Sequence, residues 1–204
     1  MRELRPDITI EARGGARRHW RSGSRLARPI SPRLSLLRVR QLAGNPARGW
    51  LTAGPFRIPC ALGAAGIVRV KREGDRGTPA GRFRLLWGYC RPDRMRLRSA
   101  GAPLRPMTRD QGWCEDPESP RYNRPVRLPA PDCTDRMWRD DHLYDLVFVL
   151  DQNFSRRAKG RGSAIFFHLA RPGFTPTAGC VAISLGDMRK LAPRLGRGAV
   201  MAIG

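Results

Sequence analysis

The sequence predicts a mainly β domain with one late α-helix and a long irregular central insertion. Three observations carry that expectation. Short runs rich in β-branched and aromatic residues recur along the chain, and Gly and Pro punctuate them. Helical spacing behind a capping pattern occurs clearly in one place, close to the C-terminus. Between the strand-like runs, residues 91–142 are dominated by Pro, Asp and Arg, with Trp113, Tyr122 and Trp138 spread among them.

In chain order, residues 1–30 hold eight arginines against three acids and almost no apolar clusters. Such a segment buries too little surface to offset its ordering entropy, so a basic disordered arm is expected ahead of one domain over residues 31–204. LSLLRVRQL, the turn signal GNPARG and WLTAG predict a hairpin over residues 34–54. FRIPCAL, GIVRVKR and GRFRLLWGY read as further strands, and GDRGTPAGR (74–82) as a loop set by Pro79 and Gly81. A structureless connection as long as 91–142 is either a functional flap or a set of packed turns. DLVFVL and AIFFHLA carry consecutive apolar residues, the pattern of strands buried on both faces. Ser184 and Asp187 form a helix cap, and Leu185, Met188, Leu191 and Leu195 then share one face. Pro193 is expected to kink or shorten the last turn and Gly196 to stop it, with AVMAI as a closing strand.

Composition bounds the function. The 204 residues suffice for a real core, and apolar runs such as Leu146–Leu150 are too short to span a bilayer, so no membrane span is expected. Of 39 basic residues 36 are arginine, against 17 acids, for a net charge of +22. Residues 110–151 are net −5, which leaves +27 on the rest. That field favours polyanions or carboxylate-rich polymers. A nucleic-acid reading needs a basic stripe on a presenting element, yet the helix holds only Arg189, Lys190 and Arg194, and no aromatic RNA-binding strand is seen. No specific nucleic-acid partner is therefore expected. Five cysteines without a C-x-x-C pair suggest neither a zinc site nor a disulfide scaffold, so no metal and no cofactor are expected. Cys114 and Cys133 could bridge in an oxidising compartment. No apolar core of a secretory signal is visible at the N-terminus.

The chemistry concentrates in PTAGCVAIS (176–184), twelve residues after the histidine of IFFHLA. A thiol is a nucleophile only as thiolate and needs a base beside it. His19 lies in the basic arm. His142, in RDDHLYD, follows two aspartates and suits a structural hydrogen bond or ion pair rather than a base. His168 ends a strand-like run, and Cys180 opens the next, so adjacent strands would bring base and nucleophile together. Gly179 can adopt turn conformations closed to other residues, and the N–H groups of Gly179 and Cys180 are candidate oxyanion donors. Thr177 is placed to orient the turn. The alternative is that Cys180 is a small core hydrophobe, as buried cysteines commonly are.

TAGCVAI behind a strand-end histidine resembles the [S/T]-x-G-C signature of the L,D-transpeptidase (YkuD-like) catalytic domain family. GTPAGRF (77–83) is similar to that family's T-P-x-G-x-F strand start, and GWCEDP, YNRPVRLP and WRDDHLYD resemble a proteobacterial branch of it. The resemblance spans residues 34–203. It implies an L,D-transpeptidase-like β-sandwich or barrel, with Cys180 as nucleophile and His168 as base in a thiolate–imidazolium pair. It also implies peptidoglycan stem peptides as donor and acceptor, a thioester intermediate, carbapenem sensitivity and a periplasmic or cell-envelope location. The family's common form is S-H-G-C followed two residues later by Arg; here Ala178 and Ala182 stand at those places. Base work then falls to His168 alone. Substrate carboxylate recognition falls to Arg171, with Arg124 and Tyr144 behind it. Resolution of the thioester by water would give an L,D-carboxypeptidase instead, and a non-catalytic member that only grips polymer is the third reading.

Overall fold

The computed structural model describes residues 33–95, 101–133 and 135–204. The expected basic arm, residues 1–30, lies outside the described residues. The chain opens with β1 (Leu34–Leu42), β2 (Asn45–Ala53) and β3 (Phe56–Ala61), then the short β4 (Ile67–Val68) and β5 (Thr78–Pro79). The long β6 (Gly81–Cys90) precedes the central segment, which holds β7 (Leu104–Pro106), β8 (Gln111–Cys114), β9 (Arg124–Arg127) and β10 (Asp135–Arg136). Then come β11 (Leu146–Leu150), β12 (Phe166–Leu169), β13 (Val181–Ile183), helix α1 (Leu185–Leu191) and β14 (Leu195–Ile203).

Eight of these strands close on themselves. The order β11-β12-β13-β3-β2-β1-β14-β6 is completed by pairing of β6 with β11, so the sheet is barrel-like. β6 is long enough to serve three neighbours: Gly81–Arg84 pairs with β14, Leu85–Cys90 with β11, and Gly88–Cys90 with β7. Closure removes the exposed sheet edges that invite aggregation. Most pairings are antiparallel, but β12–β13 and β1–β14 are parallel.

Alternation along the strands sorts side chains to two cores. Leu146, Phe148 and Leu150 of β11 and Phe167 and Leu169 of β12 point into the barrel, with Leu37, Leu51, Val181 and Met201. Val147, Val149 and Phe166 point outward into a second cluster with Trp113, Met107 and Met137 of the central segment. Both faces of β11 and β12 are thus covered, as their unbroken apolar composition predicts.

The central segment covers that outer face with a small sheet, β10-β8-β9. A disulfide joins Cys114 of β8 to Cys133. Trp113 meets Phe166 edge to face at 5.0 Å between ring centroids, and its Nε1 donates to Asn123 Oδ1 at 3.1 Å. Asn123 Oδ1 also accepts from the Ala164 N–H at 3.1 Å, and its amide donates to the Gln152 carbonyl at 3.2 Å. One side chain therefore ties the segment to the barrel's loops.

Two local expectations need correction. The hairpin turn is only Ala43–Gly44, because Gly44 (φ 78°) supplies the left-handed conformation and β2 begins at Asn45. Most of GNPARG is strand. The helix is capped as expected, Ser184 Oγ accepting from Asp187 N–H at 3.1 Å, but it ends at Leu191 rather than at Gly196. Pro193, lacking an N–H, sits in a single 3-10 turn over Ala192–Arg194, and Gly196 already belongs to β14. Among the described residues no helix is long and apolar enough to cross a membrane.

Candidate active site

The turn before β13 is built from backbone approaches that demand small residues. Gly179 has φ 139°, and a Cβ there would stand 2.7 Å from the Gly77 carbonyl oxygen and 3.2 Å from Ile165 Cδ1. Glycine is required on both counts. Gly77 begins the second motif, and the next residue, Thr78, accepts the Gly63 N–H on its hydroxyl at 2.8 Å. The two motifs, a hundred residues apart in sequence, thus meet backbone to backbone. Thr177 secures the other side: its N–H donates to the Leu62 carbonyl at 2.8 Å, and its hydroxyl donates to the Cys180 carbonyl at 2.7 Å. That hydroxyl also accepts from the Gly179 N–H at 3.1 Å. Of the two expected oxyanion donors, Gly179 is therefore already engaged. The Cys180 N–H has no protein acceptor among the described residues.

β12 places the histidine. His168 pairs with Ala182 in the parallel register, which extended by two residues sets Cys180 beside Phe166. Cys180 and His168 therefore share the outward face of two adjacent strands, two positions apart. The His168 Nδ1 lies 2.8 Å from the Leu169 carbonyl. A carbonyl only accepts, so Nδ1 carries the proton and Nε2 is a bare acceptor. The ring stands edge-on to Tyr144 at 5.3 Å.

Both groups are deeply covered. Cys180 is 7% and His168 4% exposed. The thiol donates to the Ala164 carbonyl at 3.2 Å rather than to His168, and accepts the Phe166 N–H at 3.3 Å. Burial pushes the Cys180 thiol up to about 12; the Phe166 N–H and Lys71 oppose this, and Glu115 and Asp135 reinforce it. Burial pushes His168 down to about 4, with Arg139 and Arg171 acting in the same direction. Burial thus favours the uncharged thiol and the uncharged imidazole over the thiolate–imidazolium pair that the family resemblance implies. The other two cysteines outside the disulfide differ: Cys60 lies inside the barrel core, and the Cys90 thiol faces the Met95 carbonyl at 3.5 Å.

A small cavity of about 90 Å³ opens against this face, lined by His168, Tyr144, Thr177, Arg171, Arg139 and Ala182, among others. It gathers His168 with three of the four expected substrate-binding residues; the Cys180 side chain lies outside its lining. Arg124 is also outside it. Its guanidinium donates to the Phe154 carbonyl at 2.6 Å and covers the Phe154 ring at 3.9 Å. Ala178 is exposed on the loop, where it presents no second imidazole. His142 has its Nδ1 2.8 Å from Asp145 Oδ2, within hydrogen-bond reach. Sequence reasoning missed Arg139; the adjacent basic and acidic residues of WRDDHLYD were its only signal. The one metal-type grouping among the described residues, Cys114, Asp132 and Cys133, has its two sulfurs joined in the disulfide, which leaves no thiolate ligand.

A family model described as YkuD, L,D-transpeptidase catalytic domain, matches residues 48–203. No curated protein and no solved structure gives a significant match. With well over half of the chain under that family model, and its two motifs packed together around a cysteine and a histidine, the protein belongs to the YkuD family of L,D-transpeptidase catalytic domains.

Proposed function

We propose that the protein is a cysteine acyltransferase that cross-links peptidoglycan stem peptides, with Cys180 as nucleophile and His168 as its base. The observation that carries this reading is His168: Nδ1 is pinned to the Leu169 carbonyl, so Nε2 is left as a bare acceptor in a ring that lines the cavity, on the face that bears Cys180. A neutral imidazole is the form a general base requires.

The donor stem lies in the cavity with its scissile carbonyl toward the thiol. Cys180 Sγ turns from the Ala164 carbonyl, His168 Nε2 takes its proton, and sulfur bonds to the carbonyl carbon. The Cys180 N–H receives the oxyanion, and the Gly179 N–H joins it if Thr177 Oγ yields. The imidazolium returns the proton to the departing amine of the terminal amino acid, which leaves a thioester. An acceptor amine then attacks, gives its proton to His168, and expels the sulfur, which regains that proton. Arg171 at the cavity wall binds a substrate carboxylate, and Tyr144 and Thr177 shape the walls. The Cys114–Cys133 disulfide suits an oxidising compartment, which supports placement in the cell envelope.

The test is incubation of purified muropeptides with wild type and Cys180→Ala. Dimer formation is expected to fall at least about a thousandfold, the scale for loss of a nucleophile. Undiminished dimers would rule out this chemistry, and a chain that binds muropeptides without producing dimers in either form would be a polymer-gripping member.

A further inference from the structure

Two guanidinium groups from distant parts of the chain converge on one carboxylate at the cavity wall. Arg139 Nε and Nη2 bind the two oxygens of Asp141 at 2.9 and 2.6 Å, and Arg171 Nη2 reaches Asp141 Oδ2 at 3.1 Å. This is the fork geometry by which arginine recognises a carboxylate. Here an internal side chain satisfies it.

The main chain that carries Arg139 is also held in place. Its carbonyl accepts from Arg91 Nη1 at 2.7 Å and from Arg94 Nη1 at 3.1 Å. Arg91 is 3% exposed, bound by Asp93 through two hydrogen bonds, and lies 3.7 Å over the Trp138 ring. Arg94 is fixed in turn by Asp145 at 2.8 Å. The Arg139 guanidinium lies 5.4 Å from the centre of the Tyr144 ring, which itself stands against His168. A solvated arginine gains little from such a scaffold. Meanwhile the strand position beside His168 is Ala182, so the floor of the cavity supplies no cation.

We propose that Arg139 and Arg171 form a carboxylate-binding subsite of the cavity, and that Asp141 occupies it as an internal stand-in for the ligand's carboxylate. Two guanidinium groups and one aspartate leave a net charge of +1 at the site, so a ligand carboxylate is attracted and competes with Asp141 for the fork. The central segment thereby provides the recognition that the strand after the nucleophile lacks. The subsite rests on the acyl-transfer reading only for the class of substrate it takes, a peptide ending in a free α-carboxylate.

Binding is measured in the Cys180→Ala protein, which cannot be acylated, so the result does not depend on whether cross-linking occurs. N-acetyl-D-alanine is titrated by NMR, with N-acetyl-D-alaninamide as the same probe without its carboxylate. Asp141→Asn, added to that background, is expected to bind the acid about tenfold tighter. Arg139→Met is expected to bind it at least about tenfold more weakly, the scale of a lost charge-assisted pair. Arg139→Lys, which keeps the charge and loses the fork, should fall between. Arg171→Met serves as the second cation variant if Arg139→Met unfolds. Equal binding of acid and amide, or an Asp141→Asn protein that binds the acid no tighter, would overturn the proposal. If these binding differences appear while Cys180→Ala leaves dimer formation intact, the subsite stands and the acyl-transfer reading falls.

Discussion

The two faces of β12 are equally well buried and serve opposite ends. On the inner face, Phe167 and Leu169 are surrounded by apolar side chains, and Phe167 stacks on Phe148 with ring centroids 6.2 Å apart. On the outer face, Phe166 and His168 share their cover with a thiol, an aromatic rim and two arginines. Burial inside the barrel lowers the free energy of the fold. The same degree of burial outside is spent on holding two titratable groups uncharged. One strand can thus carry stability and chemistry at once, because its successive side chains face opposite sides of the sheet.

The largest effect that sharpens this contrast is on stability. Phe167→Ala should cost about 3–5 kcal/mol, as expected for a large aromatic removed from a close-packed core. His168→Asn should cost much less at pH 8, where the imidazole is neutral folded or unfolded. Chemical denaturation of the two variants reads the comparison, and equal losses would erase it.

A smaller effect is the pH dependence of the outer face. His168 titrates at about 4 in the folded protein against an ordinary value of 6.5. Between those values the unfolded chain binds a proton that the folded chain does not. The contribution of His168 is therefore complete above pH 6.5 and is lost as pH falls toward 4, by at most about 1.4 kcal/mol per pH unit. The difference in unfolding free energy between wild type and His168→Asn should be flat above pH 6.5 and shrink below it. Cys180, pushed from 9.0 up to about 12, gives the mirror image: its contribution is lost as pH rises above 9, and Cys180→Ser should remove that slope. A difference curve that grows on acidification would mean His168 is charged in the fold.

What the sequence disclosed, and what it did not, follows the same division. Periodicity exposed β11 and β12 as strands covered on both sides, since DLVFVL and AIFFHLA have no polar face to offer water. The capping pair Ser184 and Asp187 was legible because it is local. The hairpin turn is shorter than GNPARG suggests because Asn45 and Pro46 are turn residues by type, yet β2 begins at Asn45, which pairs with Leu42. The helix end was misplaced because Pro193 acts before Gly196 can. Within the candidate site, Cys180, His168 and Thr177 stand out by motif and short-range spacing. The engagement of Gly179 by Thr177, the placement of Arg124 against Phe154, and the convergence of Arg139 and Arg171 on Asp141 depend on how distant segments pack. No local pattern encodes them.

The proposed chemistry rests on one step, in which His168 receives the Cys180 proton as sulfur attacks the donor. Intact-mass spectrometry after brief exposure to a donor tetrapeptide, with peptide mapping of the adduct, tests it directly. An acyl group is expected on Cys180 in wild type and none in His168→Ala over the same interval. Acylation of His168→Ala at the wild-type rate, or an adduct on Cys60 or Cys90, would contradict it.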